Sequence, residues 1–239
     1  MTNMVEKIMT IQNLSFSKNK QILTDINLEI YENQRICIIG PSGAGKSTFL
    51  RCLNLLERPT SGDILFENMS ILNSNNINIL RTKIGMVFQH FNLFSHLTIK
   101  QNITIALKKV KKIDTKSADQ IAINLLNRVE LLEKENEYPS NLSGGEKQRV
   151  AIIRTIAMAP RLLLVDEPTS ALDTKMVKEI SNIFMNFLEK NMSIICISHD
   201  MNFVRMFANR IIIMQNGQII KDRLKKDENF YELLTSNFQ

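Results

Sequence analysis

Gln34-Arg35-Ile36-Cys37-Ile38-Ile39-Gly40-Pro41-Ser42-Gly43-Ala44-Gly45-Lys46-Ser47-Thr48 decides the fold of this chain. The apolar run Ile36 to Ile39 reads as a buried strand, it stops at Gly40, and a helical pattern starts after Lys46. Gly40, Gly45, Lys46 and Ser47 complete the pattern G-x-x-x-x-G-K-S of a phosphate-binding loop. Glycines let the backbone fold around an anion and turn its N–H groups inward. The following helix adds unpaired N–H groups and the positive end of its dipole. Lys46 is expected to reach the β- and γ-phosphates of a nucleotide, and the Ser47 hydroxyl to ligate Mg²⁺. Pro41, Ser42, Gly43, Ala44 and Thr48 belong to the same cradle.

Glycine usage sharpens this reading. The chain has 8 Gly in 239 residues, about half the usual ~7%. Gly40, Gly43 and Gly45 lie in this loop, and Gly144 and Gly145 are adjacent a hundred residues later. Both places should need backbone that a Cβ would block. The length suits one α/β domain. A 44% hydrophobic and 23% charged composition is ordinary for a globular protein. Cys37, Cys52 and Cys196 lack metal-ligand spacing and read as reduced core residues. Met1 to Thr10 shows no signal pattern. No apolar run nears the ~18 residues of a membrane span, so any membrane role should be peripheral. The net charge of +6 could serve nucleic acid or an anionic surface. Its densest basic run, Lys108-Lys109-Val110-Lys111-Lys112, has no interleaved aromatics. A spread surface bias is the simpler explanation, and no nucleic-acid partner is expected.

Along the chain, residues 8 to 30 look like β-structure, with Ile26, Leu28 and Ile30 alternating with polar residues. Phe16 lies between two strand patterns, where it could stack on a nucleobase or simply fill the core. A helix should run from Lys46 to about Leu56, with strands at 63–67 and 84–88 and an Asn- and Ser-rich surface stretch at 70–78. Gln89 follows the latter strand directly. The next eight residues, His90 to Leu97, hold four large apolar side chains with no period, so they could pack inward or face a partner. Helices are expected at 99–112, 115–132 and 146–158, an all-helical insert in an α/β frame. Ser143 and Glu146 form a capping box around Gly144 and Gly145. Two glycines in a first helical turn weaken it by about 1 kcal/mol each relative to Ala, so close approach of an anion to bare N–H groups is the compensating use. Arg161 to Val165 reads as a central parallel strand ending in Asp166 and Glu167. Asp166 should hold Mg²⁺ and Glu167 should orient or deprotonate the attacking water. A helix after Asp173, a strand at 193–198 ending in His199, strands at 210–214 and 218–221, and a helix near 227–236 close the chain.

The chain resembles the ATP-binding subunit of ABC transporters over nearly its whole length. The stretch Leu142-Ser143-Gly144-Gly145-Glu146 resembles the family signature, with Glu146 where the family usually has Gln. The resemblance implies a phosphate-loop (RecA-like) α/β core with an N-terminal antiparallel β subdomain, covering 1–95 and 160–239, and a helical subdomain at 96–159. It further implies that Phe16 stacks on adenine, that Gln89 is catalytic and touches Mg²⁺, that Asp173 lies in the D-loop and that His199 is the switch histidine. In the family two cassettes pair head to tail, so Ser143, Gly144 and Gly145 of one subunit would cap the γ-phosphate held by Lys46 of the other. ATP and Mg²⁺ are the implied ligands. The implied partners are a second ATPase subunit, integral membrane permease subunits and, indirectly, an extracytoplasmic solute-binding protein. The implied location is the cytoplasmic face of the cell membrane, with peripheral attachment. Residues 51–59, 88–94 and 159–173 look like the bacterial importers of polar amino acids. An exporter subunit or another solute is the competing reading. DNA-repair relatives need a long coiled coil between the phosphate loop and the signature, and no sustained heptads occur there. A GTPase would need an Asn-Lys-x-Asp motif, which is absent.

Overall fold

The computed structural model describes residues 6–73, 76–169, 174–188, 192–227 and 230. Its centre is a six-stranded sheet in the order β10-β9-β3-β8-β7-β6, where β3 is Arg35–Ile39, β6 Ile84–Val87, β7 Leu162–Asp166, β8 Ser193–Ile197, β9 Arg210–Gln215 and β10 Gln218–Leu224. Strands β9, β3, β8, β7 and β6 are parallel, and β10 pairs with β9 antiparallel at the edge. The parallel strands are buried on both faces, which is why they read as unbroken apolar runs. The two-residue pleat sorts their side chains into two cores. Ile36, Ile38, Leu162, Leu164, Ile195 and Ile197 face one core. Cys37, Ile39, Leu163, Val165, Ile194 and Cys196 face the other.

The first core is closed by a four-stranded antiparallel sheet, β2-β1-β4-β5, and by helix α1 (Lys46–Leu53). Here β1 is Lys7–Ser17, β2 Gln21–Tyr31, β4 Ser61–Phe66 and β5 Met69–Ser70. Helices α3 (Ile99–Lys109), α4 (Thr115–Arg128), α5 (Gly144–Ile156), α6 (Thr174–Phe187) and α7 (Met201–Phe207) send apolar side chains into the second core. Side-chain caps fix where four of them start: Thr98 with Gln101 for α3, Asp114 for α4, Ser143 with Glu146 for α5, and Asp200 for α7. All three cysteines are buried and free, and burial pushes the Cys52 thiol up to about 12, so it is unreactive. Among the described residues no helix is long and apolar enough to cross a membrane.

The structure departs from the sequence reading in three places and divides a fourth that the sequence left open. Residues 70–78 are not only surface loop: Ile71 is buried and Asn76 caps a short helix, α2 (Ile77–Lys83). Helix α7 was not expected, although Asp200 caps it with bonds to the Asn202 and Phe203 amides. Phe16 does not lie between strands. It sits inside β1, in register with Leu23 of β2, and its ring is 6% exposed in the first core. The alternation of β1 explains this, because Leu14 and Phe16 point inward while Ser15 and Ser17 point out. The 90–97 stretch divides between its two readings: Phe91 and Leu93 pack against the second core, whereas Phe94 is 44% exposed. Asp173 and most of the helix expected at 227–236 lie outside the described residues.

Candidate active site

Four adjacent parallel strands end side by side, and each delivers one part of the site: β3 the phosphate loop, β6 Gln89, β7 Asp166 with Glu167, and β8 His199. Ligands in such sheets bind beyond the carboxyl ends of the strands. There a cleft of about 560 Å³ is lined by the run from Ser42 to Thr48, by Glu167 and His199, and by Lys20, Gln21, Ile22, Asn216 and Gly217.

The loop's glycines answer two different needs. A Cβ on Gly40, at φ 144°, would lie 2.0 Å from the Met214 carbonyl oxygen, so this glycine lets the loop leave β3 against β9. Gly43, at φ 78°, has open space where a Cβ would sit, so its requirement is the left-handed turn itself. Lys46 is 6% exposed, and its ammonium donates to the carbonyls of Gly40 and Pro41 at 2.8 Å each. Burial pulls its pKa below the ordinary lysine value, and the Glu167 and Asp166 charges oppose that shift. A desolvated ammonium held by two neutral carbonyls is well placed to turn to an anion arriving beside it.

Ser47 Oγ donates to Asp166 Oδ1 at 2.9 Å, which ties the start of α1 to the end of β7. Asp166 is nearly fully buried, and burial raises its pKa against the lowering effect of the Ser47 bond. The Ser47 hydroxyl, the Asp166 carboxylate and the Gln89 side-chain carbonyl are hard oxygen donors. Mg²⁺ takes such donors alongside waters and phosphate oxygens, so the residues present fit that ion.

Glu167 is held from two sides. Gln89 Nε2 donates to its Oε2 at 3.2 Å, and His199 Nε2 lies 3.3 Å from its Oε1. Its backbone is left-handed at φ 48°, a conformation that costs a side-chain residue about 1–2 kcal/mol. The Glu167 N–H nevertheless continues the ladder, bonding the Ile197 carbonyl at 3.1 Å. Such strain is typical where a turn must aim a functional side chain.

The signature turn does not join this cleft. Ser143 caps α5, accepting from the Glu146 N–H, while Glu146 Oε2 accepts from the Ser143 N–H at 2.8 Å. Glu146 also pairs with Lys134, and this bond holds its carboxyl down at about 2. A Cβ on Gly144 would meet nothing within 4 Å, and one on Gly145 would come 3.1 Å from Met176 Sδ. Ser143 and Gly145 line a separate small cavity with Arg149 and Met176. Of the residues singled out in the sequence, Phe16 also stays outside the cleft. The lining residues that sequence reading missed are Lys20, Gln21, Ile22, Asn216 and Gly217. Only Asn216-Gly217 carried a signal, as the two-residue hairpin turn between β9 and β10.

The family model described as ABC transporter matches residues 23–170. The general L-amino acid transport ATP-binding protein AapP of Rhizobium johnstonii is 47% identical over 201 residues, 84% of this chain and 78% of that protein. The arginine transport ATP-binding protein ArtM of Bacillus subtilis is 46% identical over 214 residues, 89% of each chain. Among solved structures, the dimeric post-hydrolysis state of the ATP-binding cassette MJ0796 bound to ADP and Pi superposes with a TM-score of 0.83. That match has 32% identity and covers 92% of this chain and all of that one. With the phosphate loop, the Asp166–Glu167 pair and His199 gathered at one sheet edge, the chain belongs to the ABC transporter family as one of its ATP-binding cassettes.

Proposed function

We propose that this chain is the ATP-hydrolysing subunit of an ABC transporter that imports a polar amino acid. The observation that carries the ATPase reading is Glu167, held between Gln89 and His199 at the mouth of the phosphate-loop cleft. The loop amides and the N-terminus of α1 receive the phosphates, and Lys46 moves to them from the Gly40 and Pro41 carbonyls. Ser47, Asp166 and Gln89 would hold Mg²⁺, which when bound would neutralise phosphate charge. Glu167 accepts the proton of the attacking water as its oxygen bonds to the γ-phosphorus and ADP leaves. His199 steadies Glu167 and supplies a polar contact to the same region. Ser143, Gly144 and Gly145 act on a second copy, because in one chain they lie outside the cleft. Two copies paired head to tail make two complete sites, and Asp173 would lie near that seam. Membrane-embedded permease subunits would contact the 90–97 stretch through the exposed Phe94, placing the chain peripherally at the inner face of the membrane. An external solute-binding protein would complete the importer. The amino-acid assignment is supported by relatives of 46–47% identity that carry such names.

The test is ATP hydrolysis by the purified chain. Glu167→Gln should bind ATP and hydrolyse it about 10²- to 10⁴-fold more slowly, the usual contribution of a positioned base. Hydrolysis at wild-type rate in Glu167→Gln would remove that residue's role.

A further inference from the structure

The geometry points to a nucleotide cleft that grips the triphosphate and hardly reads the base, so that ATP, GTP, CTP and UTP are all accepted. This inference rests on the reading of the cleft as a nucleoside triphosphate site and concerns its outer half. Among the described residues, the lining contains no Phe, Tyr or Trp. Its one ring, the His199 imidazole, is at the phosphate end beside Glu167. The aromatic side chain best placed in sequence to stack on a base, Phe16, is committed elsewhere. Its ring is buried in the first core and its backbone is in register with Leu23. Strand alternation sends the neighbouring positions, Ser15 and Ser17, outward instead, and neither carries a ring.

The outer wall is made of Lys20, Gln21, Ile22 and the Asn216-Gly217 turn. Backbone bonds fasten it. The Gly217 N–H donates to the Ala44 carbonyl in the phosphate loop at 3.1 Å, and the Thr24 N–H of β2 donates to the Gly217 carbonyl at 2.9 Å. Ile22 is the apolar surface available to a base, and it is partly packed against the first core. Lys20, Gln21 and Asn216 are exposed; Lys20 can only donate, the Gln21 side-chain N–H already donates to the Leu23 carbonyl, and the Asn216 amide can donate or accept with any base edge. The wall therefore offers contact and charge but no stacking plane, and no buried polar group is aimed to favour one base. Stacking on an aromatic ring contributes a factor of about ten or more in affinity, and this wall forgoes it. Lys20 adds attraction to phosphate, which all four nucleotides share.

The experiment is equilibrium dialysis of the intact chain with Mg²⁺ and the β,γ-imido analogues of ATP, GTP, CTP and UTP, which resist hydrolysis. The expected result is four dissociation constants within about threefold of one another, too small a spread for a stacked or hydrogen-bonded base. Lys20→Tyr should then tighten the purine analogues by about tenfold relative to the pyrimidine ones, by giving the wall a ring, while Lys20→Leu should not. Phe16→Leu should lower the melting temperature and leave all four affinities unchanged, as expected of a core residue. Adenine-analogue binding tighter than the rest by more than about tenfold, or loss of that preference in Phe16→Leu, would overturn the inference and leave the ATPase reading standing. Failure of all four to bind would overturn both.

Discussion

Arg154→Met should loosen the segment after Gln89 without disturbing the nucleotide cleft. Arg154 projects from α5 and donates Nη1 to the Asn92 carbonyl at 2.7 Å and Nη2 to the Phe91 carbonyl at 3.0 Å. Its guanidinium carbon also sits 5.8 Å from the Phe94 ring centre. Phe91 and Asn92 both have left-handed backbones, at φ 58° and 50°, and each would relax by about 1 kcal/mol if released. A hydrogen bond from a charged donor contributes about 1.5–3 kcal/mol, and here the lower end applies because the segment is partly exposed and water can replace the donor. The cation–π contact adds about 0.5 kcal/mol at such a site. Against these gains stands the burial of the guanidinium, which pulls its pKa below the usual arginine value and which Met would not suffer. The balance is a loss of about 1 kcal/mol, or a melting temperature lower by roughly 2–4 °C for a chain of this size. Arg154→Lys should recover little, since one ammonium cannot bridge both carbonyls as a planar fork does. Asn102 holds the other end of the segment through the Phe94 amide and the Phe94, Leu97 and Thr98 carbonyls. Hydrogen exchange should therefore quicken at 91–93 and less at 94–98. The assay is thermal unfolding paired with amide exchange by mass spectrometry. A melting temperature unchanged within about 1 °C, with unchanged protection at 91–93, would refute the assignment of Arg154 as the clamp.

Other outcomes follow from the same geometry. Gly40→Ala forces a Cβ to within 2.0 Å of the Met214 carbonyl, so it should destabilise the chain by about 3 kcal/mol or more and abolish nucleotide binding; denaturant unfolding and nucleotide titration check this. Phe94→Ser should spare ATP hydrolysis by the purified chain and impair transport, whereas Phe91→Ser should also lower stability, because only Phe91 packs against the core. Glu146→Gln should cost about 1 kcal/mol at pH 7, the scale of a partly exposed pair. The carboxyl of Glu146 is held down at about 2 from an ordinary 4.5, chiefly by Lys134. Its stabilisation is therefore present above about 4.5 and is lost as pH falls toward 2. The difference between variant and wild type in denaturant unfolding should shrink over that acid range.

The parts of this fold that were legible from sequence are those where one physical requirement dominates. Strands β3, β7 and β8 are buried on both faces, so they appear as apolar runs, and each stops where the chemistry begins, at Gly40, at Asp166 and at His199. Helix α4 shows its period because only one face is buried. Phe16 was misplaced because a serine-flanked aromatic near a turn looks the same whether its strand ends before or after it, and β1 continues to Ser17. Helix α7 was missed because seven residues give too few turns for a period to show, although the Asp200 cap and the Phe203, Val204 and Phe207 face were present. The Lys20 to Ile22 wall had no signature. It joins the cleft by packing against Gly45 and through the bonds from Thr24 to Gly217 and from Gly217 to Ala44, the latter a tertiary contact between segments 173 residues apart that no local pattern encodes. The left-handed backbone of Glu167 was equally unreadable, since it follows from the exit of β7 toward Ile197 rather than from the residue type.

The most direct measurement is uptake of a panel of labelled polar amino acids by cells carrying Lys46→Ala in place of the native chain. The variant removes the ammonium that now rests on the Gly40 and Pro41 carbonyls and with it the proposed grip on the phosphates. The expected result is loss of uptake for one amino acid or one group of them, restored by the unaltered chain. Unchanged uptake across the panel, in cells whose Lys46→Ala chain is present and folded, would contradict the assignment to amino acid import.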